Sequence, residues 1–197
     1  MSQHPTASGR RPILVPVDFS SASRAALLFA ANLAEPLGVP LVLAHVAHEP
    51  GRQPGFYRRH DDSGRLQPLE DVARGMLERF VLQTQVSHPG HAALRGARLR
   101  LVGGLPGSRI VELAVQENAA LVVMATRHRS GLGEAIHGSV ARQVTHRGPV
   151  PVTVIPPPEG GWDGPEAGRM GSAAWWERRG AAGEALPESL GLRVGRS

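Results

Sequence analysis

The chain has 197 residues, of which 41% are hydrophobic, 20% charged and 4% aromatic, with a formal net charge of +5, a balance that fits one packed domain with an appendage. It contains 0 Cys, which excludes disulfides, thiolate nucleophiles and thiolate metal sites and suits a reducing compartment. All 22 basic residues are Arg, which excludes Schiff-base lysines and a Walker A phosphate loop.

Residues 1–10 carry no apolar stretch of the kind that opens a signal peptide and read as a disordered N-terminus. The run Ile13-Leu14-Val15-Pro16-Val17, ending at Asp18, has no polar alternation and predicts a strand buried on both faces. Ser20, Ser21 and Ser23 can cap a helix whose apolar positions Ala26, Leu27, Ala30, Ala31 and Leu33 recur at helical spacing between Ala25 and Leu37; Pro36 and Gly38 supply its stop. Pro40 to Val46 is a second buried strand. Glu49 to Gln67, with its Gly, Pro and Asp residues, reads as a long surface loop. Leu69, Val72, Ala73, Met76, Phe80 and Val81 mark a second amphipathic helix that ends near Val86.

After His88-Pro89-Gly90, the stretch Ala97 to Val102 alternates apolar residues with arginine, as a half-exposed strand near a sheet edge does. Pro106 leads into a third helix with Ile110, Val111, Leu113 and Ala114 on one face. Leu121 to Met124 is the next buried strand, and the loop Thr126 to Gly133 leads to a helix starting near Gly138-Ser139. Val150 to Ile155 is the last strand, and its Pro151 suits an edge. Glu78, Glu112 and Glu117 fall on amphipathic helices and read as solvated. Strands alternating with helices predict an α/β domain over residues 11–156, an open, doubly wound, five-stranded parallel sheet. Residues 157–197 are rich in Gly, Pro and Arg without sustained periodicity and read as a disordered tail, in which Trp175-Trp176 is the unusual pair. No run approaches the roughly 20 apolar residues of a membrane span, and the arginines lack the interleaved aromatics of a single-strand-binding platform. The expectation is a cytoplasmic protein that engages neither membrane nor nucleic acid.

Open parallel sheets bind ligands beyond the carboxyl ends of their strands, where strand order reverses. Asp18, Val46 and the stretch Met124 to Ser139 would meet there. Gly138-Ser139 reads either as an anion site at a helix N-terminus or as an ordinary cap. Asp18, two residues before Ser20, reads either as a ligand group or as a turn residue. His45 and His48, three apart on or just beyond a strand, would point to opposite faces, so no transition-metal site is expected.

Several stretches together resemble the universal stress protein family, from Arg11 to about Pro156. They are Val15-Pro16-Val17-Asp18, His45-Val46, Gly104-Leu105-Pro106 and Leu121-Val122-Val123-Met124, and above all Gly138-Ser139-Val140-Ala141-Arg142-Gln143-Val144 followed by Pro149-Val150-Pro151-Val152-Thr153-Val154. The resemblance implies a Rossmann-like sheet of the adenine nucleotide alpha hydrolase type and a non-enzymatic role in stress response. It also implies ATP or another adenine nucleotide as ligand, with Mg where phosphates are bound. Nucleotide-binding members carry Gly-x2-Gly-x9-Gly-[Ser/Thr]. Here Ala125 stands at the first glycine and His128 at the second, and only Gly138-Ser139 matches. By resemblance Asp18 and Val46 face the adenosine part, Ala125, Arg127, His128, Gly138, Ser139 and Val140 line the phosphate side, and Met124 also belongs to the nucleotide-binding site. An imidazole at His128 takes up space where phosphates or their backbone donors would approach. Arg127, His128 and Arg129 either replace those donors with side-chain charge or form a solvated loop beside a vestigial site. The family likeness further implies a homodimer through the Val150 to Ile155 edge.

Two other readings fit the same residues. One is a slow ATP-hydrolysing or phosphate-transferring enzyme, with Asp18 positioning a metal and Ser139 holding phosphate. The other is a nucleotide-independent protein-interaction module. Hydrolase signatures such as Gly-x-Ser-x-Gly and His-Glu-x-x-His do not occur in the chain.

Overall fold

The computed structural model describes residues 9–48, 57–61, 63–126, 139–156 and 194–195. The five expected strands are β1 (Ile13–Pro16), β2 (Leu41–Ala47), β3 (Arg98–Gly103), β4 (Leu121–Ala125) and β5 (Val152–Ile155). Between them lie α1 (Ser21–Leu37), α2 (Leu69–Ser87), α3 (Ala92–Arg95), α4 (Pro106–Gln116) and α5 (Ser139–Arg147), and a short β6 (Val194–Gly195) closes the series. All pairings are parallel, in the order β5-β4-β1-β2-β3-β6.

Side-chain alternation assigns each strand residue to one of two cores. Ile13, Val15, Leu41, Leu43, Leu99, Leu101 and Val123 face a layer built from α1, α2 and α3, filled by Leu27, Leu77, Phe80 and Leu94. Leu14, Val42, Ala44, Val46, Val122 and Met124 face α4 and α5, against Ile110, Leu113, Ala141 and Val144. This is the doubly wound sheet that buried apolar runs demand, since a parallel strand needs cover on both sides.

The local signals explain the boundaries. Ser20 caps α1, its hydroxyl accepting the Ser23 N–H at 3.1 Å. Gly38 ends the helix at φ 60°, a left-handed conformation that costs glycine little. Pro106 occupies the first turn of α4, where a missing N–H is harmless. β5 lies at one edge of the sheet as Pro151 suggests, and the carbonyl of Pro151 still accepts the Val122 N–H at 2.9 Å.

Four features differ from the sequence reading or extend it. Val194–Gly195 pair with Leu99 and Arg100, so a strand comes from a stretch read as structureless; the open edge of β3 offers it unpaired backbone groups. The rest of the tail, Trp175-Trp176 included, lies outside the described residues, as do residues 1–8. Gly9 and Arg10 are described, and the Arg10 guanidinium donates to the Leu37 carbonyl at the end of α1. Glu117 is not solvated: its carboxylate, 8% exposed, takes Arg98 and Arg100 of β3 at 3.0 Å each. Finally, the loop after β2 is not wholly superficial, because Tyr57 is only 3% exposed.

Because Leu43 is fully buried in the middle of β2, Leu43→Ala is expected to destabilise the domain by about 2–5 kcal/mol. Val86→Ala, at a position 72% exposed on α2, is expected to stay within about 0.5 kcal/mol of the parent. Urea unfolding monitored by circular dichroism checks both.

Candidate functional site

Strand order reverses at β1, whose neighbours β2 and β4 are reached by crossovers on opposite faces. Their carboxyl ends border a cleft of about 300 Å³, the position where open parallel sheets hold ligands and a size at the lower end of the range for small-molecule pockets. Pro16, Val17 and Asp18 come from the end of β1, Ala44, His45 and Val46 from β2, and Met124, Ala125 and Thr126 from β4. Ser139, Val140 and Ala141 contribute the start of α5. Of the residues singled out from sequence, Asp18, Val46, Met124, Ala125, Ser139 and Val140 therefore meet in one place. Arg127, His128 and Gly138 lie outside the described residues.

The reading missed Pro106 and Ile110 of α4, together with Ser20, Ser23 and His48, which also line the cleft. The signal was available for α4, because a helix that follows a parallel strand starts at that strand's carboxyl end. As a result the N-termini of α1, α4 and α5 all border the cleft, and none carries an acidic residue in its first turn. The N-terminus of α2, by contrast, carries Glu70 and Asp71. At α4, which has no side-chain cap, and at the start of α5, first-turn N–H groups and helix dipoles favour negative charge in this cleft, whereas at α1 the Ser20 cap and the Asp18 carboxylate already take that place. Met124 and Val46 are 5% and 6% exposed, and with Ile110 they give the same cleft an apolar wall.

Asp18 fills the turn role and stands at the cleft. Its Oδ1 accepts the Ser20 N–H at 3.1 Å and the Ser20 hydroxyl at 2.5 Å, while the Asp18 N–H points to Ser23 Oγ at 3.4 Å. Ser23 in turn donates its hydroxyl to the Ser20 carbonyl at 3.0 Å. Both serines are thus engaged in capping α1, and the Ser20 hydroxyl is also held by the Asp18 carboxylate.

Directly after Asp18, Phe19 has φ 64°. A bulky residue in the left-handed region is strained, at a cost of about 1–3 kcal/mol. Its ring, 3% exposed, lies 4.1 Å from the His45 ring and 5.8 Å from that of Phe80. Arg24 stacks over Phe80 at 5.0 Å.

The two nearby histidines both border the cleft, His45 from β2 and His48 just beyond its end. His45, 4% exposed, places Nδ1 2.7 Å from the Val17 carbonyl and Nε2 2.7 Å from the Tyr57 hydroxyl. His48 places Nδ1 3.1 Å from the Val46 carbonyl. Among the described residues no cluster of three or more His, Asp or Glu side chains could hold a metal, and no helix is long and apolar enough to cross a membrane.

The fold and the cleft define a class: a doubly wound α/β domain with an open cleft at its switch point. The family model described as the universal stress protein family matches residues 9–156, and the chain belongs to that family. A universal stress protein of Methanocaldococcus jannaschii is 37% identical over 59 residues, a stretch that spans 30% of this chain and 35% of that relative. The structure of a universal stress protein from Archaeoglobus fulgidus is 29% identical, covers 74% of this chain and 98% of its own, and superposes with a TM-score of 0.55. A universal stress protein structure from Archaeoglobus fulgidus in complex with dAMP is 26% identical, with the same coverage, 74% and 98%, and a TM-score of 0.51.

Burial lowers the His45 pKa from 6.5 to about 4, a fall that the Val17 carbonyl and Asp18 partly oppose and His48 reinforces. The folded state therefore binds fewer protons than the unfolded chain between these values. Its stability is fully present above pH 6.5 and is expected to drop by about 3 kcal/mol as pH falls to about 4. Urea midpoints measured across that window should slope in the parent and flatten in His45→Asn.

Proposed function

We propose that this universal stress protein is a non-enzymatic module that binds an adenine nucleotide in the switch-point cleft. The observation that carries this reading is the meeting of Asp18, Val46, Met124, Ala125, Ser139 and Val140 around one cleft bordered by three helix N-termini. The apolar wall suits a purine, the Val46 backbone offers polar groups to its edge, and the Asp18 carboxylate suits a ribose hydroxyl. Ser139 and Val140, at the start of α5, offer N–H groups to a phosphate. Mg would accompany a bound di- or triphosphate through phosphate oxygens. The dAMP complex of the Archaeoglobus relative supports the ligand class.

Mass spectrometry of the small molecules released on denaturing the purified protein, followed by calorimetric titration of the stripped protein with AMP and ATP, tests the reading. Adenine nucleotide should be released or bound, and Asp18→Ala and Ser139→Ala should each weaken it about 10-fold. His128→Gly should tighten ATP if the imidazole stands where the second family glycine would admit a phosphate. Absence of any nucleotide binding in folded protein would make the chain a nucleotide-independent interaction module.

Assembly belongs to the same proposal. The residues of β5 are all half-buried, and β5 ends the sheet on that side. Such an apolar edge fits a two-fold pairing between copies. Sedimentation should give a dimer for the parent and a monomer for Val154→Arg, and a monomeric parent would overturn this assignment.

A further inference from the structure

Tyr57 sits in a polar stretch of sequence, yet its side chain is buried and its hydroxyl reaches His45 Nε2 at 2.7 Å. The chemistry fixes the direction of this chain of bonds. The Val17 carbonyl can only accept, so His45 Nδ1 carries the proton and donates to it at 2.7 Å. Nε2 of the neutral ring is then an acceptor, and the Tyr57 hydroxyl donates. Independently, the strained Phe19 is gripped between the His45 and Phe80 rings. Asp18 is thus held from both sides: the residue before it by a hydrogen bond from His45, and the residue after it by ring packing on His45. Among the described residues, Asp18, His48 and Tyr57 are the ionisable groups that act on or touch His45.

We infer that His45 and Tyr57 are positioning residues, which hold the Val17–Phe19 turn in its strained form and so set where Asp18 stands in the cleft. This deepens the proposed function and rests on it for the ligand. It also makes binding and the seating of Tyr57 thermodynamically linked, each favouring the other. The segment carrying Tyr57 is itself braced by the His60–Leu66 bridge and by Asp61, which accepts the Ser63 and Arg65 N–H groups at 2.9 Å each. Tyr57 thus precedes a braced turn that leads by chain into α2, and its hydroxyl joins it to His45 at the cleft.

Tyr57→Phe keeps the ring and deletes the donor. In the ligand-free full chain, amide exchange at Ser20 and Ser23, whose N–H groups close the turn, should quicken about 3- to 10-fold while exchange at Val123 in β4 is unchanged. AMP binding by the same variant should weaken about 3- to 10-fold. His45→Phe should reproduce both effects, whereas His45→Asn, whose side-chain amide can still donate to the Val17 carbonyl, should recover much of the loss. Unchanged exchange at Ser20 and Ser23 in folded Tyr57→Phe overturns the inference, and so does faster exchange with AMP affinity intact. If the parent chain fails to bind AMP at all, the nucleotide reading falls, while the exchange comparison still decides whether His45 and Tyr57 hold the turn.

Discussion

The central pair β1 and β2 is buried on both faces, with Ile13, Val15, Leu41 and Leu43 under α1 to α3 and Leu14, Val42, Ala44 and Val46 under α4 and α5. Two helical layers can cover one parallel sheet only if some crossovers lie on one face and the rest on the other; here α1 and α2 take one face and α4 and α5 the other, and right-handed connections then send β2 and β4 to opposite sides of β1. The cleft is the geometric result, since the chains leaving β1 and β4 turn away from each other. The placement of the helix N-termini follows from the same arrangement. α1, α4 and α5 begin where the strands before them end, so the charge preference of the cleft is a property of the backbone before any side chain is chosen.

What could be read from sequence follows from how local each determinant is. Apolar runs, the Ser20 cap, Gly38 and Pro106 act within a few residues, and the elements they mark appear within a residue or two of where the pattern puts them, save α1, whose start the serines at 21 and 23 already hint at. The one-turn α3 has too few residues to show a period, and it is held by Leu94 in the core and the Gln85 amide on the Leu94 carbonyl at 2.9 Å. Glu117 looked solvated because its partners Arg98 and Arg100 belong to a strand that only the folded sheet brings alongside. Tyr57 escaped for the same reason: its partner His45 lies 12 residues back on the far side of a long loop. The cleft residues were legible through their positions after apolar runs and through family likeness, whereas Pro106, Ile110 and His48 needed the assembled topology.

Arginine as the sole cationic residue gives the domain a particular kind of fastening. Arg10 bonds the Leu37 carbonyl at the end of α1, Arg11 reaches the Asn118 and Ala119 carbonyls just past α4, and Arg109 reaches the Gly103 carbonyl that closes β3. Helix and strand ends leave carbonyls without partners, and a guanidinium fork supplies several donors in one rigid plane. Glu117 forms ion pairs with Arg98 and Arg100 at once, through one nitrogen of each, tying the end of α4 to β3.

Alternation along β2 assigns Ala44 and Val46 to one core and His45 to the other, where it meets Phe19 and Tyr57. A single residue inserted before His45 within β2 would upset these assignments, sending the imidazole into the aliphatic layer beneath α4 and leaving the inserted residue at the place where Tyr57 and the Val17 carbonyl await a hydrogen-bond partner. The same residue inserted between Ala47 and Tyr57 would leave every assignment in place. Relatives of this chain should accordingly vary freely in the length of that connection and hardly at all in the spacing from Leu41 to Val46.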